Sequence, residues 1–223
     1  MIYQENYRSI KQFSKPDING GNLLEDSKFV KSTFREFLLG FGSNTKMRLR
    51  NVDFIGTKLS AGRAMLGRFT ELENVLFEEF QCAYGLSIDS GALLDRVSIV
   101  GKKYPSSLFV KRVSLDFEPD YKPVDGWSLD IREYFGNVEI YNVPKEKVLL
   151  DPSRQFVFDS RLLDVIPWEE IGIDVETSFI YSRFRFAKTS STGYTIGAAP
   201  SKKKKTFMAE MRDIEILRDN GFL

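Results

Sequence analysis

The chain has 223 residues, of which 42% are hydrophobic, 28% charged and 13% aromatic, with 32 basic against 31 acidic side chains, one cysteine and no histidine. The apolar fraction supports a packed core, and the lack of histidine excludes intrachain Ser-His-Asp and Cys-His catalysis, His-bearing zinc sites and imidazole pH switches. A net charge of +1 gives no global pull toward nucleic acid or acidic membranes, so any electrostatic function is local.

Residues 1–30 hold Glu5, Lys11, Asp17, Glu25 and Asp26 without an apolar run, and no stretch elsewhere approaches about 18 uncharged apolar residues. Neither an export signal nor a membrane span is expected, and the lone Cys82, unable to form an intrachain disulfide, fits a cytoplasmic location. Pro16-Asp17 followed by Asp26-Ser27-Lys28 matches in letters a metal-dependent nuclease motif. The intervening Ile18 to Asn22 is turn chemistry, which leaves little strand on which to mount Asp17 beside a metal. Phe29, Phe34, Phe37, Leu38 and Phe41 are spaced as one helical face that stops at Gly40 and Gly42, which predicts a helical N-terminal cap within residues 1–46.

Next comes a degenerate repeat. The pattern Asn or Arg, Val, any residue, then Phe, Ile or Leu begins at Asn51, Asn74 and Arg96, spaced 23 and 22 residues apart, and again at Arg112 and Asn137. Inside each unit small or apolar residues fall five apart, as Phe54, Leu59, Ala64 and Phe69 and then Phe77, Cys82, Ser87, Ala92 and Val97. A five-residue step suits neither a continuous strand nor a helix, but it suits a coil with one inward side chain per corner, each turn burying its face only against its neighbours. Residues 47–115 resemble the pentapeptide-repeat type of β-solenoid, with Cys82, Ser87 and Ala92 as the small interior residues and Phe54 and Phe77 in the corner-filling role. They depart from that pattern in having its Asp-or-Asn followed by a large apolar residue only at Asp53-Phe54, Leu66 and Leu86 out of phase, and Pro105 inside the third unit. The resemblance implies a solenoid; a repetitive antiparallel sheet sharing a Val-x-Phe core pair is the alternative. Cys82, at a small interior position, reads as a buried structural thiol. Glu71, Glu73, Glu78 and Glu79 place four carboxylates in nine residues, and on a coil they line one lateral face suited to a basic protein partner.

The periodicity breaks in a turn-rich loop over residues 116–130, within the repeat region 47–137. Residues 138–223 read as a smaller α+β portion: strands over 138–150 and 154–159, an alternating strand from Ser178 to Ala187, and a helix over 206–219 ending at Asn220-Gly221. Arg183, Arg185, Lys188, Lys202, Lys203, Lys204 and Lys205 form a run without acidic residues, interleaved with Phe184, Phe186 and Tyr194. That composition belongs either to a solvated linker or to a surface for an acidic protein or for nucleic acid. No nucleotide-binding glycine loop and no nucleophile elbow is present, and no residues point to a cofactor or metal.

The sequence thus predicts a mainly β protein: a short β-solenoid or repetitive antiparallel sheet, a helical N-terminal cap and a smaller α+β C-terminal portion. The expected function is non-catalytic protein binding, of the inhibitor or immunity type that neutralises a toxin or enzyme by direct contact. Nucleic-acid binding through residues 183–205 is the alternative, and a metal-dependent hydrolase using Asp or Glu the third reading.

Overall fold

The computed structural model describes residues 2–3, 6–42, 46–60, 64–112, 121–198 and 207–223. Its strands are β1 (Ile2–Tyr3), β2 (Asn6–Ser9), β3 (Lys15–Pro16), β4 (Asn22–Val30), β5 (Thr33–Leu39), β6 (Met47–Ile55), β7 (Lys58–Leu59), β8 (Ala64–Leu66), β9 (Thr70–Glu78) and β10 (Leu86–Asp89). There follow β11 (Leu93–Val100), β12 (Ser107–Lys111), β13 (Leu129–Asp130), β14 (Asn137–Tyr141), β15 (Val148–Leu149), β16 (Gln155–Asp159), helix α1 (Phe179–Ala187), β17 (Tyr194–Ala198) and helix α2 (Phe207–Asp219). The chain winds into a β-solenoid of about six turns. One sheet runs β1-β4-β6-β9-β11-β13-β15, and the other runs β16-β17-β14-β12-β10-β8-β5-β2. From β4 to β15 and from β5 to β14 every neighbouring pair is parallel. Of the two architectures the repeat allows, the parallel coil is the one formed.

The Asn/Arg-Val-x-Phe pattern has a backbone cause. Register pairs Arg50 with Glu73 and Val52 with Val75, passing over Asn51 and Asn74, while Asp95 pairs with Glu73 and Val97 with Val75, passing over Arg96. The bypassed residues Asp26, Asn51, Asn74 and Arg96 all sit in the left-handed region, with φ of 51°, 53°, 53° and 54°. Asn and Asp tolerate that conformation better than other residues with a Cβ. Stacking makes the side chains a ladder: Asn74 Nδ2 donates to Asn51 Oδ1 at 2.9 Å, and Asn51 Nδ2 donates to Asp26 Oδ1 at 2.8 Å. Each bulge resets the alternation, so Val52, Phe54, Val75, Phe77, Val97 and Ile99 all point inward and are buried.

Inside the coil Phe29 stacks on Phe54 with ring centroids 5.4 Å apart and Phe54 on Phe77 at 5.2 Å, the rings nearly parallel in both cases. Phe37, from the opposite sheet, and Phe80, from the corner after β9, meet this column edge-on. The interior period is therefore two, interrupted at bulges and corners, and not five. Leu66 and Leu86, out of phase with a five-residue step, are buried, whereas Ser87 faces outward.

The expected helical face at Phe29 to Phe41 is instead β4 and β5, with Phe29, Phe34, Phe37 and Leu39 buried as solenoid strand residues. Among the described residues there, only Ile10–Phe13 forms a helical turn, a 3-10 turn that covers the coil end as Phe13 packs on Phe29 at 5.1 Å. The coil thus begins before residue 47, and β14 and β15 carry it past residue 137. Beyond it, β17 adds antiparallel to β14 and β16 antiparallel to β17. Their outward side, with Phe156 and Phe158, is covered by a second hydrophobic cluster that includes Trp168, Ile173, Phe184, Ile214 and Leu217.

Residues 178–187 are a helix, not the alternating strand the sequence predicts. Ile180, Phe184 and Ala187 are buried at helical spacing, and the Ser178 hydroxyl caps the first turn by accepting from the Tyr181 amide at 3.1 Å. The C-terminal helix forms as expected, with Ile214 and Leu217 buried. Asn51→Val and Asn51→Gly both remove the ladder amide, but only valine adds left-handed strain. Urea denaturation is expected to place the valine variant about 1–2 kcal/mol below the glycine variant.

Candidate functional site

The two sheets present unlike outer faces. On the first, outward residues line up across the turns as Leu23, Arg48, Glu71 and Leu93, and as Glu25, Arg50, Glu73 and Asp95. Opposite charges therefore meet at strand-pairing distance. Glu71 lies 2.6 Å from Arg48 Nη2 and 2.8 Å from Lys46 Nζ, and Glu73 lies 2.9 Å from Arg50 Nε. Arg96 reaches Asp95 at 2.9 Å and Glu73 at 3.9 Å. Burial pushes the Glu71 carboxyl up, but hydrogen bonds from Lys46 and Arg48 outweigh it and hold the group below its ordinary range.

The four acidic residues expected on one lateral face do not all lie on it. Glu71, Glu73 and Glu78 share the outward side of β9, yet the first two are neutralised by the preceding turn. Glu79, at a left-handed corner with φ of 45°, accepts from the Lys102 and Tyr104 amides at 2.8 and 3.0 Å and so shapes the next corner. Only Glu78 keeps its carboxylate without such a partner among the described residues.

The nuclease-like letters are dispersed in the same way. Asp17 lies 3.0 Å from Arg48 Nη1, in an ion pair rather than an aligned hydrogen bond. Asp26 accepts from Asn51, and Lys28 lies 3.3 Å from Asp53. Cys82 is buried, and burial pushes its thiol up to about 12.

The second sheet carries an apolar ladder. Its outward register runs Leu38, Met65, Ser87, Phe109, Glu139 and Gly197. Tyr84 joins it beside Met65, where the two line a shallow depression with Ala64, Gly85 and Ser87. The Phe109 ring lies over Gly85, where a Cβ would sit 3.2 Å from Cε2. Leu38, Phe41 and Tyr84 are 43%, 46% and 69% exposed, so this is a patch open to solvent rather than a covered core. Phe41 lies past the end of β5, its backbone against Gly67 of the following turn.

At Glu139 the ladder runs into the wall made by α1. There Glu139, Tyr141, Phe179, Ser182, Arg183, Phe186, Thr195, Ile196 and Glu210 line a cleft of about 380 Å³. Phe179 and Phe186 project 55% and 57% exposed at its rim. The Arg183 guanidinium lies 5.5 Å from the Phe158 ring and covers Gly197, where any Cβ would collide with it. Burial, reinforced by Glu139, raises the Tyr141 phenol above its ordinary value, so it remains a hydrogen-bond donor at neutral pH.

The predicted basic strip is broken up. On a helix Arg183 and Arg185 lie about 200° apart; the first faces the cleft and the second faces solvent, while Lys188 pairs with Asp164 at 3.5 Å. Lys202, Lys203, Lys204 and Lys205 lie outside the described residues. The ladder Leu38, Met65, Phe109 has a faint sequence signal, because Met65, Ser87 and Phe109 are each 22 apart, but nothing in the letters separates outward from inward positions. Among the described residues no helix is long and apolar enough to cross a membrane, and no three acidic or cysteine side chains stand together as a metal site.

No family model, curated protein or solved structure matches the chain.

Because Glu71 has a depressed folded-state pKa, its stabilisation is complete above the unfolded carboxyl value of 4.5 and is lost as pH falls through the lower folded value. Glu71→Gln is expected to lower the melting temperature at pH 7. The gap to wild type should close as pH falls below 4.5, as read by thermal denaturation across pH 2.5 to 7.

Proposed function

We propose that the protein is a non-catalytic protein-binding module whose working face is the outer side of the second sheet. The observation that carries this reading is the outward ladder of Leu38, Met65 and Phe109, with Leu38 and the neighbouring Tyr84 exposed and Met65 and Phe109 partly exposed. A folded chain gains by hiding such a patch, and aromatic and methionine side chains are the residues that anchor protein interfaces. The first sheet offers a poorer face, because its carboxylates are already answered by Arg48, Arg50 and Lys46, and exposed ion pairs of this kind contribute about 1 kcal/mol or less.

The partner that fits is a folded protein presenting an apolar surface, with acidic groups to meet Lys111, whose ammonium lies 5.1 Å from the Phe109 ring. A rigid parallel coil loses little conformational freedom on binding, which favours tight association. Steric occupation of a toxin or enzyme is the use in which such a face requires no chemistry of its own.

The test is capture from host lysate by the wild type, by Met65→Glu/Phe109→Glu and by Glu71→Lys/Glu73→Lys. One stoichiometric protein is expected with the wild type, lost with the first variant and retained with the second. Retention by the first and loss by the second would return the interaction to the acidic strand.

A further inference from the structure

The cleft at the end of the apolar ladder has a chemistry that protein docking on the second sheet does not use. Arg183 is half-buried on α1 and, among the described residues, makes no hydrogen bond or ion pair; its guanidinium lies over Gly197 and 5.5 Å from the Phe158 ring. Glu139, half-buried on β14, is likewise without a hydrogen bond or ion pair among the described residues, and the Tyr141 hydroxyl has no hydrogen-bond partner there. Glu210 closes the cleft from α2 but is buried and engaged by an interaction of its own. A half-buried guanidinium and a half-buried carboxylate left unpaired in one cleft forgo the partners such groups normally take when removed from water.

We propose that this cleft binds a free α-amino acid with an aromatic or large apolar side chain, its carboxylate on Arg183, its ammonium on Glu139 and its side chain between Phe179 and Phe186. One cation and one free anion match a zwitterion. A phosphate would meet Glu139 as a like charge and find only a single guanidinium. The two exposed phenylalanine rings supply the apolar surface that ligand pockets use, and about 380 Å³ falls in the roughly 300–1,000 Å³ range of small-molecule sites. Tyr141 supplies a hydroxyl donor for the second carboxylate oxygen. Because α1 also walls the docking ladder, an occupant here would stiffen the end of that surface.

The site goes beyond the protein-binding reading and stands or falls separately from it, because the probe is a small molecule and the readout needs no partner. The full chain is titrated with L-phenylalanine, N-acetyl-L-phenylalanine, L-phenylalanine amide and L-alanine while amide and arginine side-chain resonances are followed by NMR. The acetylated probe imitates the last residue of a peptide and the amide probe the first. Saturable shifts at Ser182, Arg183 and Thr195 are expected with L-phenylalanine, and at least tenfold weaker binding with each of the other three. Arg183→Gln is expected to weaken phenylalanine at least tenfold. Since Arg183 also packs over Phe158 and Gly197, Glu139→Gln on the outer face of β14 serves as the second variant, and it should erase the preference for the free over the acetylated amine. Absence of saturable shifts up to about 10 mM, a concentration that reaches well past millimolar affinity, would overturn the proposal. Equal binding of the acetylated probe, or unchanged affinity in the Glu139→Gln variant, would overturn it as well.

Discussion

The constraint on which the molecule depends is that successive turns stack in parallel register with their left-handed residues one above another. A parallel strand can carry a bulge at no cost in pairing only if its neighbours carry one at the same place. Asp26, Asn51, Asn74 and Arg96 meet that condition, and the amide ladder from Asn74 through Asn51 to Asp26 ties three of the bulges together. Slipping one turn by a single residue would bring a left-handed position against an extended one and turn Val75 and Phe77 out into solvent. The stacked column of Phe29, Phe54 and Phe77 then follows, since rings at equivalent positions of adjacent turns come to lie about 5 Å apart, the spacing of neighbouring strands.

That register also sorts the two outer faces. Repetition brings like positions together, so unaltered repeats would stack like charges along the first sheet. The chain alternates them over three turns, acidic at Glu25, basic at Arg50 and acidic again at Glu73; where Asp95 then falls beside Glu73, Arg96 reaches both carboxylates. Along the second sheet the same stacking joins Leu38, Met65 and Phe109 into one apolar band, and the antiparallel β16 and β17 end it. Gly197, between Glu139 and Phe156 in the outward row, has no side chain, and this leaves room for the Arg183 guanidinium of α1 against the sheet. The cleft lies where the repeat stops and the helical portion begins.

The coil was legible in the sequence because the bulge demands a particular residue type, and so Asn51, Asn74 and Arg96 recur ahead of a valine at constant spacing. Asn137 shows the limit of that signal: it carries the same letters, yet it opens β14 of the second sheet, and the left-handed residue there is Asn142. The earlier turns were hidden because Phe29, Phe34 and Phe37 are separated by a corner at Lys31, and three residues on two short strands imitate helical spacing. Residues 178–187 failed in the opposite sense. Their alternation of aromatic and polar letters suits a strand, while the Ser178 cap and the Ile180, Phe184, Ala187 spacing needed the neighbouring Phe158 and Trp168 to decide for a helix. Charge clusters read from sequence lost their meaning for a similar reason. Glu71 and Glu73 are adjacent in the chain to other acids, but in space they are adjacent to Arg48 and Arg50, one turn earlier. The outward ladder and the cleft draw each residue from a different element, so no local pattern marks them.

Equivalence of the turns is tested most directly by removing one. Deleting residues 71–92 joins Thr70 to Leu93 and takes out β9 and β10 together, leaving β6 to pair with β11 and β8 with β12 in the existing register. Deleting residues 71–81 removes half a turn and brings the two sheets out of phase. Urea unfolding followed by circular dichroism should show a cooperative transition with a β-sheet baseline for the full-turn deletion, with a smaller denaturant slope because less surface is buried, and no cooperative transition for the half-turn deletion. Two deletions that behave alike, both unfolded or both cooperative, would contradict a structure whose order rests on turn-by-turn register.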